Sequence, residues 1–290
     1  MQHVGIDVSR SVLDITVYET GEYFQVENKP FGFEYLNVKL GQVSNICMEA
    51  TGVYYRPLAL FLVHNHHNVF VENPLKIKSF FRTKLGRVKT DKQDSSLIAE
   101  YLVKFFADIR RWDSAPESLE MLSLTVRFAE SLTIQRVGVV NRLHAALYAS
   151  PKMIPKLERV LTTLGNERQV IYDIALSIIE SDPLLQKWIL ALVDISGFSD
   201  ILAMRFLAHA KDLRRFETAK KFASFTGLTP SLYESGKMKL SSRISRLGSS
   251  RLRSDLFLAA RAASRSKGVY GDYYRKLVSR EKPKNQLCVL

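Results

Sequence analysis

Cysteine is nearly absent. Two residues, Cys47 in an apolar run and Cys288 near the C-terminus, make neither a disulfide framework nor a metal knuckle. No apolar run approaches the roughly 18 residues of a membrane span. Met1 leads straight into an apolar alternation rather than a signal peptide, so a cytoplasmic protein without a membrane partner is expected. Acidic residues are scarce in one region only. Residues 1–112 hold 14 Lys/Arg against 12 Asp/Glu, residues 113–190 hold 8 against 9, and residues 191–290 hold 20 against 8. Nearly all of the net charge of +13 therefore lies in the last hundred residues. Such a basic segment suits a polyanion, because each phosphate neutralised releases counterions.

What is present is ordinary globular material, 46% apolar and 24% charged over 290 residues, enough for two domains. An apolar alternation from Val4 to Val17 reads as a strand hairpin, with a further strand around Glu22–Asn28 after a Thr20-Gly21 turn. Phe33–Leu40 fits a short helix, Asn45–Glu49 an apolar strand, Tyr55–Val63 a helix and Val69–Val71 another strand. Strands alternating with helices predict an α/β domain with a mixed sheet, whose sites sit at strand ends. Asp7 lies inside the first strand, where a buried acid needs a cation or a donor. Glu49 lies at a later strand end.

Residues 76–92 carry seven cations and one acid, which reads either as a phosphate-backbone contact or as a solvated loop. Thr90-Asp91-Lys92-Gln93-Asp94-Ser95 opens an amphipathic helix and puts its two acids three apart, on one face. Residues 113–190 read as two long helices folded into a hairpin about Ser150-Pro151 and Pro155, a spacer or an oligomerisation arm. Ile195-Ser196-Gly197-Phe198 reads either as a helix-hairpin-helix turn that meets a phosphate or as a plain glycine C-cap. Ser235, before Gly236 in a polar loop flanked by cations, is a hydroxyl that could reach a phosphorus.

Gly5-Ile6-Asp7-Val8-Ser9, Met48-Glu49-Ala50-Thr51-Gly52, Lys89-Thr90-Asp91-Lys92-Gln93-Asp94 and the late Gly227-Leu228-Thr229-Pro230, Tyr233-Glu234-Ser235-Gly236 and Arg243–Gly248 occur in one order. Together they resemble the DEDD transposases of insertion sequences. This family includes the Piv-type pilin-gene invertases and is described as bridge-RNA-guided recombinases. The likeness spans nearly the whole chain, and separated motifs in the right order make it specific where any one alone is weak. It implies an α/β plus α fold. Residues 1–112 would form a RuvC-like (ribonuclease H-type) catalytic domain, residues 113–190 a helical coiled-coil linker, and residues 191–290 a mainly helical basic domain. It also implies four carboxylates, Asp7, Glu49, Asp91 and Asp94, that hold Mg²⁺ or Mn²⁺. Ser235 would be the nucleophile of a site composite between subunits. The cations that would grip nucleic acid are Lys84, Arg87, Lys89, Arg243, Arg246, Arg251 and Arg253. Implied partners are double-stranded DNA at element ends and targets, a structured guide RNA, and further copies in a dimer or tetramer, all in the bacterial cytoplasm at the nucleoid.

Two departures from the family pattern stand out. Ser196-Gly197-Phe198-Ser199 replaces a turn that often holds two glycines. The chain ends at Leu290, where relatives continue into another basic helix, which implies a shortened copy. Among rivals, sugar kinases of the actin-like fold also begin Gly-Ile-Asp-x-Ser, but they need a glycine-rich adenosine site. With 14 glycines and no Gly-Gly pair, this chain does not supply one. A RuvC-type nuclease using water, and a DNA-binding remnant that does not cut, remain open at this level.

Overall fold

Apolar side chains at alternate positions drive the first third of the chain into strands, and the strands into one sheet. The computed structural model describes residues 1–83, 91–231, 234–235, 238–239 and 243–280. It forms two compact units, residues 1–114 and 115–290.

In the first unit, β1 (His3–Val8), β2 (Val12–Val17) and β3 (Tyr23–Glu27) form an antiparallel meander. Helix α1 (Pro30–Leu40) leads to β4 (Asn45–Glu49), and α2 (Arg56–His64) to β5 (Asn68–Glu72). Both β4 and β5 run parallel to β1, giving a mixed sheet ordered β3-β2-β1-β4-β5. The helical crossovers are what parallel pairing requires. Val4, Ile6, Val8, Leu13, Ile15, Ile46 and Met48 point to one face and pack with α1 and α2. The opposite face takes α3 (Pro74–Thr83) and α4 (Asp91–Phe105), with Cys47, Phe70, Ile77, Phe80, Ile98 and Leu102 in its core. Burial pushes the Cys47 thiol well above the ordinary thiol range, with Glu72 adding to the shift, so this cysteine is packing material.

Helix α3 falls where the sequence shows a cationic stretch. Asn73 Oδ1 accepts the Leu75 amide at 2.8 Å and Pro74 opens the helix, while Ile77 and Phe80 are buried and Lys76, Lys78 and Arg82 exposed. The cations hide a three-residue apolar period. Lys84, Arg87 and Lys89 lie outside the described residues.

The second unit opens with α5 (Glu117–Ala149), which turns at Pro151–Met153 and packs against α6 (Ile154–Ser181). The base of this hairpin is not a free spacer. Leu119, Leu122 and Val126 of α5 and Ala175 and Ile178 of α6 share one core with α7 (Pro183–Val193), α8 (Asp200–Ala210) and Leu252 of α10 (Ser250–Ala263). Further out, Ile134, Val137, Leu147, Val160 and Val170 are exposed along the arm. Helix α9 (Ala219–Thr226) ends at Gly227 in the left-handed region. Short strands follow: β6 (Pro230–Ser231) pairs β9 (Arg243–Ile244), and β7 (Glu234–Ser235) pairs β8 (Met238–Lys239). Helix α11 (Val269–Val278) is the last described element. No helix among the described residues is long and apolar enough to cross a membrane.

The turn between α7 and α8 joins two helices, as a helix-hairpin-helix turn would, and Gly197 is not a C-cap, because Asp194 holds that position at the end of α7. Gly197 has φ +103°, and a β-carbon there would collide with the Ala259 carbonyl and the Ala263 amide. The glycine is needed because the turn lies directly on α10, not because it caps a helix.

Candidate active site

Side chains alternate along a strand, so residues in register across neighbouring strands share a face. Gly5 faces α4, and Asp7, two residues on, shares its face. Its antiparallel partner is Asp14 of β2, while Thr16 on the same face of β2 bonds the Ser95 hydroxyl of α4 at 2.7 Å. Asp7 and Glu49 each follow the paired residues Ile6 and Met48, so they stand side by side at the C-terminal ends of parallel strands. Glu49 in turn pairs with Glu72 of β5. Four carboxylates, Asp14, Asp7, Glu49 and Glu72, thus cross the sheet in one row, one per strand, beneath α4.

The two outer members of the row are satisfied locally. Asp14 is 4% exposed and accepts from Tyr23 Oη at 2.6 Å and Gln25 Nε2 at 2.7 Å. Glu72 pairs with Lys76 at 3.0 Å. Asp7 and Glu49, the inner pair, are half-buried, and Glu49 accepts from Thr51 Oγ1 at 2.8 Å. Above them, α4 brings Asp94, 9% exposed, one residue from the Ser95 that anchors the helix to β2. Asp91 opens the same helix. Like charges on neighbouring strands disfavour one another unless a cation or donors intervene.

Among the described residues, no three His, Cys, Asp or Glu side chains converge tightly enough to cage an ion by themselves. The donor set nonetheless fits Mg²⁺. It offers hard carboxylate oxygens, and Mg²⁺ is held by one or two carboxylates with water and substrate phosphates, not by an all-protein cage.

In the second unit, Ser235 lies on β7, opposite Met238, rather than in an open loop. Arg243 shares β9 with Ile244, and Arg246 is exposed with φ +55°. Arg253 Nη1 donates to the carbonyls of Thr226 (3.0 Å) and Gly248 (3.1 Å), so it ties α10 to the segment before it. Arg251, half exposed, reaches Glu130 of α5 at 2.7 Å.

A DEDD transposase model of the IS110 type matches residues 4–150, half of the chain, and includes Asp7, Glu49, Asp91 and Asp94. This chain belongs to the IS110 transposase family. A second model, for the transposase IS116/IS110/IS902 family, matches residues 190–275, the stretch that carries Ser235. Pilin gene-inverting proteins of Moraxella bovis and Moraxella lacunata are each 24% identical to it over 99% of this chain and 91% of their own length. As a family member, the chain is an enzyme of DNA transposition and recombination.

The hairpin of this transposase, expected to be a spacer or an oligomerisation arm, also supplies an ionic centre. Glu130 of α5 accepts from His209 Nε2 at 2.9 Å, Arg205 Nε at 3.2 Å and Arg251 Nη1 at 2.7 Å. Arg205 also meets the fully buried Asp255 of α10 at 2.7 Å. Burial pushes the Glu130 carboxyl upward, but the His209 hydrogen bond and the charges of His209, Arg205 and Arg251 outweigh it and hold the pKa below the ordinary range. Glu130→Ala strands these cations and should cost on the order of 3 kcal/mol, read by urea unfolding. The sign for pH follows from the depressed value. The stabilisation is fully present above the usual glutamate pKa of about 4.3 and is lost as pH falls below it, so the variant's deficit should shrink under acid.

Asp14 and Glu72 were also missed. Alternation marks their positions, but only the sheet register shows that both lie in one row with Asp7 and Glu49.

Proposed function

We propose that this chain cuts and rejoins DNA at insertion-sequence ends and targets by transferring phosphodiester bonds through a serine. The observation that carries this reading is the side-by-side placement of Asp7 and Glu49 at parallel strand ends, beneath the helix that bears Asp91 and Asp94. The mixed sheet with its row of carboxylates supports a RuvC-like catalytic domain over residues 1–112. Asp7, Glu49, Asp91 and Asp94 would hold Mg²⁺ or Mn²⁺, which when bound supplies a polarised scissile phosphate and a neutralised leaving oxygen. The half-burial of Asp7 and Glu49 limits competing water around them. Residues 113–190 act as a helical arm, and its exposed apolar residues support assembly into a dimer or tetramer.

Ser235 is the nucleophile. Its Oγ attacks phosphorus as the bond to the 3′ oxygen breaks, the serine proton departs and the 3′ oxygen gains one. The resulting 5′-phosphoserine keeps the phosphodiester energy for rejoining, which hydrolysis would lose. Lys84, Arg87, Lys89, Arg243, Arg246, Arg251 and Arg253 contribute backbone contacts and charge. A structured guide RNA selects the DNA, as the family resemblance implies. The Moraxella relatives favour a second outcome of the same chemistry, inversion of a segment rather than its insertion.

The decisive experiment traps the protein on a nicked suicide substrate carrying an element end. Wild type should form a covalent protein–DNA adduct, and Ser235→Ala none. An adduct that persists in Ser235→Ala, or free cleavage product without any adduct, would overturn the serine assignment.

A further inference from the structure

Helices α10 and α11 leave a cavity of about 470 Å³ on the second unit. Its floor is Ala259, Ala260 and Ala263 of α10, side chains too short to fill the space between the helices. Tyr270, Tyr273 and Tyr274 of α11, three and four apart and so on one face, line the cavity together with the apolar Ile195, Phe198 and Leu256. Tyr270 and Tyr273 are about half exposed, at 51% and 53%. The rings therefore line the cavity and remain open to solvent.

The charge around this cavity says what it suits. From Arg251 to Arg280 the chain holds eight Lys/Arg and two Asp/Glu. Arg251 and Arg253 are engaged by Glu130 and by main-chain carbonyls, Asp255 is buried against Arg205, and Asp272 offsets Arg275 at 2.6 Å. Arg261 of α10, Lys276 of α11, and Arg265 and Lys267 between the two helices are exposed. Aromatic faces set among exposed cations are the requirement for a single nucleic-acid strand, whose bases stack on rings while its phosphates meet the charges. A paired base inside a duplex cannot enter, because both of its faces are occupied.

We propose that the α10–α11 cavity receives an unpaired nucleobase, from DNA or RNA, stacked on the tyrosines of α11 and held by the surrounding cations. This goes beyond the carboxylates and Ser235, and it adds a strand-reading site to a domain otherwise assigned to duplex DNA.

The test uses the full chain and short oligonucleotides of one sequence as single-stranded DNA, single-stranded RNA and duplex DNA, read by fluorescence anisotropy. A 2-aminopurine at an unpaired position reports stacking. Tyr273→Ala should weaken single-strand binding by about 5- to 150-fold and abolish quenching of the reporter, with duplex affinity unchanged. Tyr273→Phe, which keeps the ring, should behave as wild type, and a thermal melt checks that both variants fold. The better-bound single strand identifies the source of the base. Equal losses on duplex and single strand, or no loss on either, overturn the proposal. So does a switch from oligomer to monomer in Tyr273→Ala without loss of strand binding, which would make the face an interface between copies. Wild type that binds no nucleic acid at all would remove this site and the functional reading together, whereas duplex binding without a single-strand response removes only this site.

Discussion

Asp7→Asn should stop strand cleavage while leaving the protein at least as stable as wild type. The two halves of that result have separate causes. Asparagine has nearly the volume of aspartate, so a half-buried position at a strand end can accept it without repacking. Asp7 also stands opposite Asp14 in the antiparallel ladder, and like charges directly opposite are destabilising. Removing one charge relieves that repulsion. Chemistry responds in the opposite direction. The inner carboxylates are the hard donors of the site, and charge stabilisation of this kind is worth several kcal/mol in a phosphoryl-transfer transition state. Several kcal/mol corresponds to roughly a thousandfold or more in rate. The measurement is adduct formation on the suicide substrate beside a melting curve of the same preparation. A melting temperature held or raised with cleavage gone identifies Asp7 as a functional acid that costs stability. Cleavage at close to the wild-type rate would remove it from the site.

The first unit was legible because alternation survives in a sheet with an apolar face. Val4, Ile6, Val8, Leu13 and Ile15 announce β1 and β2, and Asp7 and Glu49 stand out against them. Asp14 did not stand out. An acid at an alternate position reads as solvent-facing, and only the register with Asp7, together with Tyr23 and Gln25 from β3, shows that it is buried and satisfied. Helix α3 was obscured by its own cations, since Lys76, Lys78 and Arg82 outnumber Ile77 and Phe80, the two side chains that hold it to the sheet.

The second unit was less legible for a different reason. Strands of two residues, such as the one bearing Ser235, are too short to show any period. Charge alone assigns Arg251 and Arg253 to phosphate, and nothing local announces that one also meets Glu130 and the other the carbonyls of Thr226 and Gly248. A partner 121 residues away leaves no mark in the local sequence. The Glu130 centre has the same origin: it joins α5, α8 and α10, three elements whose proximity is set by the core and not by any local pattern.

Gly5→Ala should lose stability and cleavage together, in contrast to Asp7→Asn. A methyl at residue 5 would overlap the Ser95 carbonyl oxygen and the Ala99 amide nitrogen of α4 and come within 2.9 Å of the Ala99 Cα. All three are backbone atoms, so no side chain can swing aside. Helix α4 itself must lift off β1. Two effects of the substitution compete. Alanine restricts the unfolded chain and so favours folding by about 0.4–1 kcal/mol. Overpacking against rigid backbone costs about 1–3 kcal/mol, and loss of the buried Ser95–Thr16 hydrogen bond at 2.7 Å adds a further cost of about 1–3 kcal/mol. Destabilisation wins. Because Asp94 rides on the same turn as Ser95, lifting the helix also shifts it relative to β1 and β4, which under the proposed metal site should reduce adduct formation even among molecules that remain folded. Gly165 within α6 is the control, since nothing lies within 4 Å of a β-carbon there. Gly165→Ala should gain about 0.5–1 kcal/mol from helix propensity and leave cleavage unchanged. Urea unfolding and the suicide-substrate assay on both variants separate the cases. A Gly5→Ala protein as stable and active as wild type would mean that α4 does not set the spacing between the helix-borne and strand-borne carboxylates.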